Sequence, residues 1–272
     1  MRFARRRWRN ISFTIVVAVT LIMMRDVADA ALYRAAFLTG WLLFAAVLVL
    51  SLYRARKAVT TVPIGSAASW FQFHAYLGAI SVVLFLLHVG WRIPDGWFEV
   101  FLAVLFVLVA LSGIVGIVLL RIIPRRLTRR GEEVILERIP IFIADLRREV
   151  EQLVLDSTEQ TESSTIGDYY LDELGDFFRG PRNTLHHLVA SNRPLFSILT
   201  EIDDLERYLN DEEREFAKRM RELVEKKDDL DFHYALNVTL RAWLFVHVPL
   251  TYGLLVLAVA HVVLVHAFGG GL

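Results

Sequence analysis

Two long apolar stretches of this chain each carry a pair of histidines fourteen positions apart: His74 and His88 in one, His247 and His261 in the other. At about 100° and 1.5 Å per residue, fourteen steps return a helix to within about 40° of its starting direction, about 21 Å further along. Each pair therefore puts two imidazoles on one helix face at two depths. Ionisable groups are costly inside a bilayer, and by default they mark function there. If the two helices run parallel and face each other, His74 meets His247 at one level and His88 meets His261 at the other. The expected fold is all-α, a transmembrane helical bundle.

The chain has 272 residues and is 55% hydrophobic, which places it among membrane proteins. Five apolar segments stand out. Ile11–Met24 is marginal for crossing a core of about 30 Å. The segments 31–53, 70–91, 97–120 and 242–268 are each long enough. Four core helices plus a short N-terminal helix follow. Trp70, Trp91, Trp97 and Trp243 lie at segment ends, where amphipathic rings favour the interface. With the N-terminus inside, the inner flanks hold 14 Lys or Arg, and the outer flanks hold only Arg25, Arg34 and Arg92. The positive-inside bias then makes the N-terminus cytoplasmic and the C-terminus external. Segments three and five both run outward, the parallel arrangement that the histidine pairing requires. The first segment has a second reading. Its basic start, short apolar stretch and Ala28-Asp29-Ala30 site also fit a cleavable signal peptide.

The net charge of zero conceals a division. Residues 132–231 hold 26 of the 30 acidic side chains but only 13 of the 30 basic ones. This gives four expected parts: a basic N-terminus with a short membrane helix or signal anchor (1–30), transmembrane helices (31–123), an acidic cytoplasmic helical insert (124–240) and a last transmembrane helix (241–272). In the insert, Ile139, Phe142, Leu146, Val150 and Leu153 follow a three–four rhythm, as do Ile202, Leu205, Leu209, Phe216, Met220 and Leu223. The pattern predicts an antiparallel helical hairpin with a coiled-coil-like seam. DSTEQTESSTIG (156–167) and the Gly180-Pro181 turn read as linkers.

The chain contains no cysteine, so any redox centre of its own is held by histidine, not by thiolates or C-x-x-C-H. Two imidazoles per level fall short of the three or four ligands of a zinc site. They match haem iron, whose porphyrin leaves two axial positions to the protein. The expected metal ligands are therefore His74 with His247 and His88 with His261, holding two non-covalent haems b in series. His266 points about 140° away from His261 and cannot share its face. His186, His187 and His233 read as solvated or packing residues. Gly78, one turn beyond His74, and Gly90 and Gly253 leave room for a flat cofactor. Ser112, Gly113 and Gly116 fit either that role or close helix packing. Arg92 and Arg241 are candidates for the haem propionates at the outer and inner surfaces, and both positions equally suit interfacial anchors. Pro249 loosens the helix just after His247.

The repeated H-x13-H resembles the four-helix core of the di-haem cytochrome b subunit of quinol–cytochrome c oxidoreductases. The local runs FHAYLG and WLFVHVPLTYGLLVLAVAH look like small bacterial membrane cytochromes b. The resemblance covers the transmembrane histidines only, and the acidic insert departs from it. It implies a bacterial inner-membrane subunit with His74 and His247 on the inner haem and His88 and His261 on the outer one. It also implies a quinone at one face and a cytochrome c or iron–sulfur subunit as partner. Such a chain is an electron-transfer subunit of a membrane oxidoreductase complex rather than a stand-alone enzyme. No flavin or nicotinamide fingerprint such as G-x-G-x-x-G is present, and no nucleic-acid partner is expected. A reading of another class is a haem-free membrane scaffold whose acidic hairpin docks a cytoplasmic protein.

Overall fold

A computed structural model describes residues 2–30, 35–54, 66–130 and 134–268, and every regular element among them is helical. The elements are α1 (Arg2–Ala30), α2 (Ala35–Ser51), α3 (Ala67–Val89), α4 (Trp97–Leu127), α5 (Ile139–Thr161), α6 (Thr165–Tyr169), α7 (Gly175–Phe178), α8 (Thr184–Leu188), α9 (Arg193–Leu205) and α10 (Asp211–Phe268). They form two compact units, one of residues 1–118 with 243–272 and one of residues 119–242.

Four described helices are long and apolar enough to cross a membrane: α1 through its stretch Trp8–Arg25, then α3, α4 and α10. Two segments differ from expectation. The short N-terminal segment is part of a 29-residue helix, because the polar residues flanking Ile11–Met24 continue the same winding. The segment expected at 31–53 is a 17-residue helix, about 26 Å long, followed by a 3₁₀ turn at Leu52–Arg54. Its expected start, Ala31–Arg34, lies outside the described residues, as do Arg56 and Lys57 of the orientation argument.

Local chemistry sets the ends of α3. The Ser66 side chain accepts from the Ser69 N–H at 3.2 Å, a cap whose loss typically costs about 1 kcal/mol. At the other end Gly90 adopts φ +70°, which glycine tolerates best, and its N–H donates to the Leu86 carbonyl at 3.0 Å. Within the first unit, α2 and α3 make the most extensive backbone approach, with α1 also against α3. Val47 of α2, Phe106 of α4 and Leu254 of α10 form a buried apolar cluster, with Val82 and Phe85 of α3 packed against it. Phe85 and Phe106 stack at 4.3 Å with planes 14° apart. By position along α3 and α10, this cluster sits between the two histidine levels.

The second unit is a small multi-helix domain, not the expected two-helix hairpin. Its core joins Val150 and Leu153 of α5, Ile166 of α6, Leu174 and Phe178 near α7, Ile202 of α9 and Met220 of α10. The expected second arm is broken between α9 and α10. Asn210 and Glu213 make a capping box there: Glu213 N–H donates to Asn210 Oδ1 (2.8 Å) and Asn210 N–H donates to Glu213 Oε2 (2.9 Å). Of the stretch 156–167, expected as a linker, only 162–164 connects helices. α5 continues to Thr161, and Ser157 and Ile166 are buried. The Gly180-Pro181 turn lies, as expected, between helices α7 and α8.

Candidate histidine-paired site

Of the four transmembrane histidines, one pair stands ring to ring. His88 of α3 and His261 of α10 have ring centres 6.3 Å apart and planes at 85°. At the other level His74 and His247 lie near each other, each packed against its own aromatic ring, Tyr53 and Trp243. Because 74 lies by 247 and 88 by 261, α3 and α10 run in the same direction. Contacts from the other two helices fix the rest of the topology. Ala36 meets His88 while Tyr53 meets His74, and Phe98 meets His261 while Ser112 meets His247. Helices α2 and α4 therefore run opposite to α3 and α10, an up-and-down arrangement.

One histidine at each level is oriented through Nδ1. His88 Nδ1 lies 2.9 Å from the Ala36 carbonyl oxygen, which can only accept, so Nδ1 carries the proton and Nε2 keeps its lone pair. His247 Nδ1 lies 2.7 Å from Ser112 Oγ, whose own hydrogen goes to the Val109 carbonyl at 2.8 Å. The hydroxyl proton being committed, His247 Nδ1 donates and its Nε2 is likewise free. This tautomer control by a carbonyl or hydroxyl is the usual support of a metal-ligating imidazole. The other member of each pair, His74 and His261, has a buried Nδ1 without a hydrogen-bond partner. A buried polar atom left so costs about 1–3 kcal/mol.

Ring packing holds these side chains in place. Trp243 stacks on His247 at 5.2 Å and 19°, and its indole N–H donates to the Ser112 carbonyl at 2.8 Å. Tyr53 packs on His74 at 4.8 Å, and Phe98 lies beside His261 at 6.3 Å. Gly40 is a close approach: a Cβ there would stand 2.8 Å from His88 Cε1. Gly116 is similarly covered by the Trp243 ring, so packing is what requires a glycine at that position. Gly78 differs, since a Cβ there would meet nothing within 4 Å, and at Gly253 only Leu105 comes that near.

The His88 and His261 side chains have the spacing that a haem between them would need. An imidazole nitrogen sits about 2 Å from a metal it ligates, and its ring centre about 1 Å beyond. Two rings opposed across one iron thus have centres about 6 Å apart, the separation seen for His88 and His261. Open space beside Gly78 lies on the helix that carries His74 and His88. Among the described residues no group of three or more His, Cys, Asp or Glu is placed to hold a bare metal ion.

The remaining candidates lie elsewhere. Arg92 is exposed on the loop after α3. Arg241, in the second unit, donates from Nη2 to Glu137 Oε1. His266 packs against Phe37 and Trp41, with Nδ1 2.8 Å from the Val262 carbonyl. Pro249 lies within α10, where it removes one backbone donor, and Thr251 Oγ1 donates to the His247 carbonyl at 2.8 Å. In the insert His186 is exposed, while His187 and His233 are buried.

Sequence reasoning missed Ala36, Gly40, Tyr53 and Phe98, and it assigned Trp243 to the interface only. Gly40 carried a signal, being the single glycine in the segment 31–53. No family model, curated protein or solved structure matches this chain.

Proposed function

We propose that the chain is a di-haem b electron carrier that conducts electrons between the two faces of a bilayer. One observation carries the proposal. Paired imidazoles at two levels on parallel helices α3 and α10 include, at each level, one whose Nε2 lone pair is freed by an Nδ1 bond. His74 and His247 would hold one haem, and His88 and His261 the other. Each haem, when bound, would supply a one-electron centre, and ligation by two histidines would favour electron transfer over oxygen chemistry.

The chain's residues do the rest. Ala36 and Ser112 fix the ring tautomers, and Trp243, Tyr53 and Phe98 limit ring rotation. The apolar cluster around Phe85 and Phe106 packs between the two levels. Histidine levels about 21 Å apart along the helix suit transfer across the membrane in two stages. Arg92 is the propionate candidate at the outer face. The partners of this reading are a quinone or quinol at one face and a cytochrome c or iron–sulfur subunit at the other. The membrane is the bacterial inner membrane, with the N-terminus cytoplasmic.

Electron paramagnetic resonance of the oxidised, detergent-purified protein tests the ligation. Two low-spin signals of bis-imidazole iron are expected, the His88/His261 signal strongly anisotropic because the ring planes are nearly perpendicular. A high-spin signal, or none, would overturn the proposal.

A further inference from the structure

Five arginines follow the apolar stretch of α4, and the structure divides them between two faces. Arg126 donates from Nη1 to the Leu188 carbonyl at 2.8 Å and from Nη2 to the His187 carbonyl. Arg130 donates to Asp228 Oδ2 at 3.0 Å and to Asn192 Oδ1 at 2.7 Å. Both guanidiniums also lie over the Phe232 ring. Arg121, Arg125 and Arg129 are exposed instead. Arg121 and Arg125, four residues apart, share a face of the last turns of α4, and Arg129 follows in the turn after it.

Apart from Asp228 of α10, the groups that Arg126 and Arg130 hold belong to one stretch, α8 and the turn after it. That stretch is fastened at 187 and 188 to the last turn of α4 and at 192 to the bend just after it. Asn183 and Ala190, at φ +58° each, bracket it in the left-handed conformation that residues with a Cβ disfavour. Held so, the stretch exposes Leu185 (77%) and Val189 (75%), and Phe196 (63%) follows one turn into α9. Single exposed apolar residues are ordinary on any protein. Here three occur within twelve residues, fastened to the basic end of a membrane-length helix. That is the composition of a surface lying in the headgroup region, apolar side chains inward and cations at phosphate level.

We propose that this edge of the insert is a bilayer-surface contact. Leu185, Val189 and Phe196 enter the acyl boundary, while Arg121, Arg125, Arg129 and Arg193 engage anionic lipid headgroups. Charge complementarity selects the face. Residues 132–231 hold 26 acidic against 13 basic side chains, so an anionic membrane repels most of the insert and attracts this basic, apolar edge.

The absence of cysteine gives a direct test with the full chain. Leu185→Cys, Val189→Cys and, as a water-facing control, Tyr208→Cys (Tyr208 is 85% exposed) each create one labelling site for an environment-sensitive fluorophore. The protein is placed in nanodiscs of phosphatidylcholine with or without phosphatidylglycerol, some carrying a shallow nitroxide-labelled lipid. Emission at 185 and 189 is expected to shift to the blue and to be quenched at least about twofold by the labelled lipid, with no change at 208. Quenching should be stronger with phosphatidylglycerol and should weaken in high salt and on replacing Arg121, Arg125 and Arg129 with Gln. Quenching at 185 and 189 no greater than at 208 would overturn the proposal. A blue shift without lipid quenching would also overturn it, assigning the surface to a protein neighbour.

Discussion

The imidazoles of His88 and His261, on helices separated by more than a hundred residues of sequence, stand 6.3 Å apart with planes at 85°. That separation suits two axial ligands sharing one iron. The level below repeats the pairing with His74 and His247. The two levels share no ligand, which gives the first prediction. His88→Ala or His261→Ala removes one haem and leaves the other, so haem content falls by about half. Reduced-minus-oxidised spectra of the two variants should show the same surviving centre. Unchanged content in both would break the pairing.

Ser112 controls His247 from the neighbouring helix α4 through the 2.7 Å bond to Nδ1. Ser112→Ala removes the acceptor that fixes the tautomer. Loss of such a supporting group typically weakens binding by about 10–100-fold. Haem titration of the variant is expected to show one weakened site, together with a shifted midpoint potential for that centre alone. Equal weakening of both sites would mean that the substitution acts through general packing.

Gly40 lies so close to His88 that a Cβ would stand 2.8 Å from the ring. Gly40→Val is therefore expected to displace His88 and reproduce the loss of that haem, while the His74/His247 centre persists. Redox titration separates the two centres. A variant with both centres intact would show that the ring has room to move.

In the second unit Lys227 and Asp231 form a fully buried ion pair at 2.5 Å, and Lys227 also donates to the Gly180 carbonyl at 2.8 Å. Lys227→Met strands the carboxylate and is expected to destabilise the insert by about 3–5 kcal/mol, whereas the double change with Asp231→Leu should restore most of the loss. Burial already pushes the Asp231 carboxyl up to about 7. The single variant should therefore recover stability on acidification, as folded Asp231 takes up a proton that the unfolded chain does not hold. Denaturant unfolding at pH 8 and pH 5 reads both effects, and a penalty independent of pH would contradict the assignment.

His187 titrates in the opposite sense. Burial above all, with the positive charge of Arg130 and Lys227, holds its imidazole down to about 4 from the ordinary 6.5. The unfolded chain accepts a proton there that the folded state refuses. As pH falls from 6.5 toward about 4, the natural protein should lose stability relative to His187→Gln. A difference between the two that stays constant across that window would contradict the sign.

The sequence revealed what depends on spacing along one helix. His74 and His88 share a face by helical period alone, and so do His247 and His261. What holds each ring was hidden, because Ala36 and Ser112 approach from helices 52 and 135 residues away in the chain. The insert shows the same limit at short range. Polar composition made 156–167 read as a linker, yet burial of Ser157 and Ile166 among neighbouring helices keeps it structured. The break in the expected second arm was legible, since Asn210-Asp211-Glu212-Glu213 has the N-x-x-E form of a capping box. The apolar rhythm through Leu209 masked it.

The most direct measurement is the haem content of the detergent-purified full chain, by pyridine haemochrome assay after expression with adequate haem supply. About two haems b per chain are expected. Protein that is folded, colourless and free of haem under those conditions would contradict that expectation.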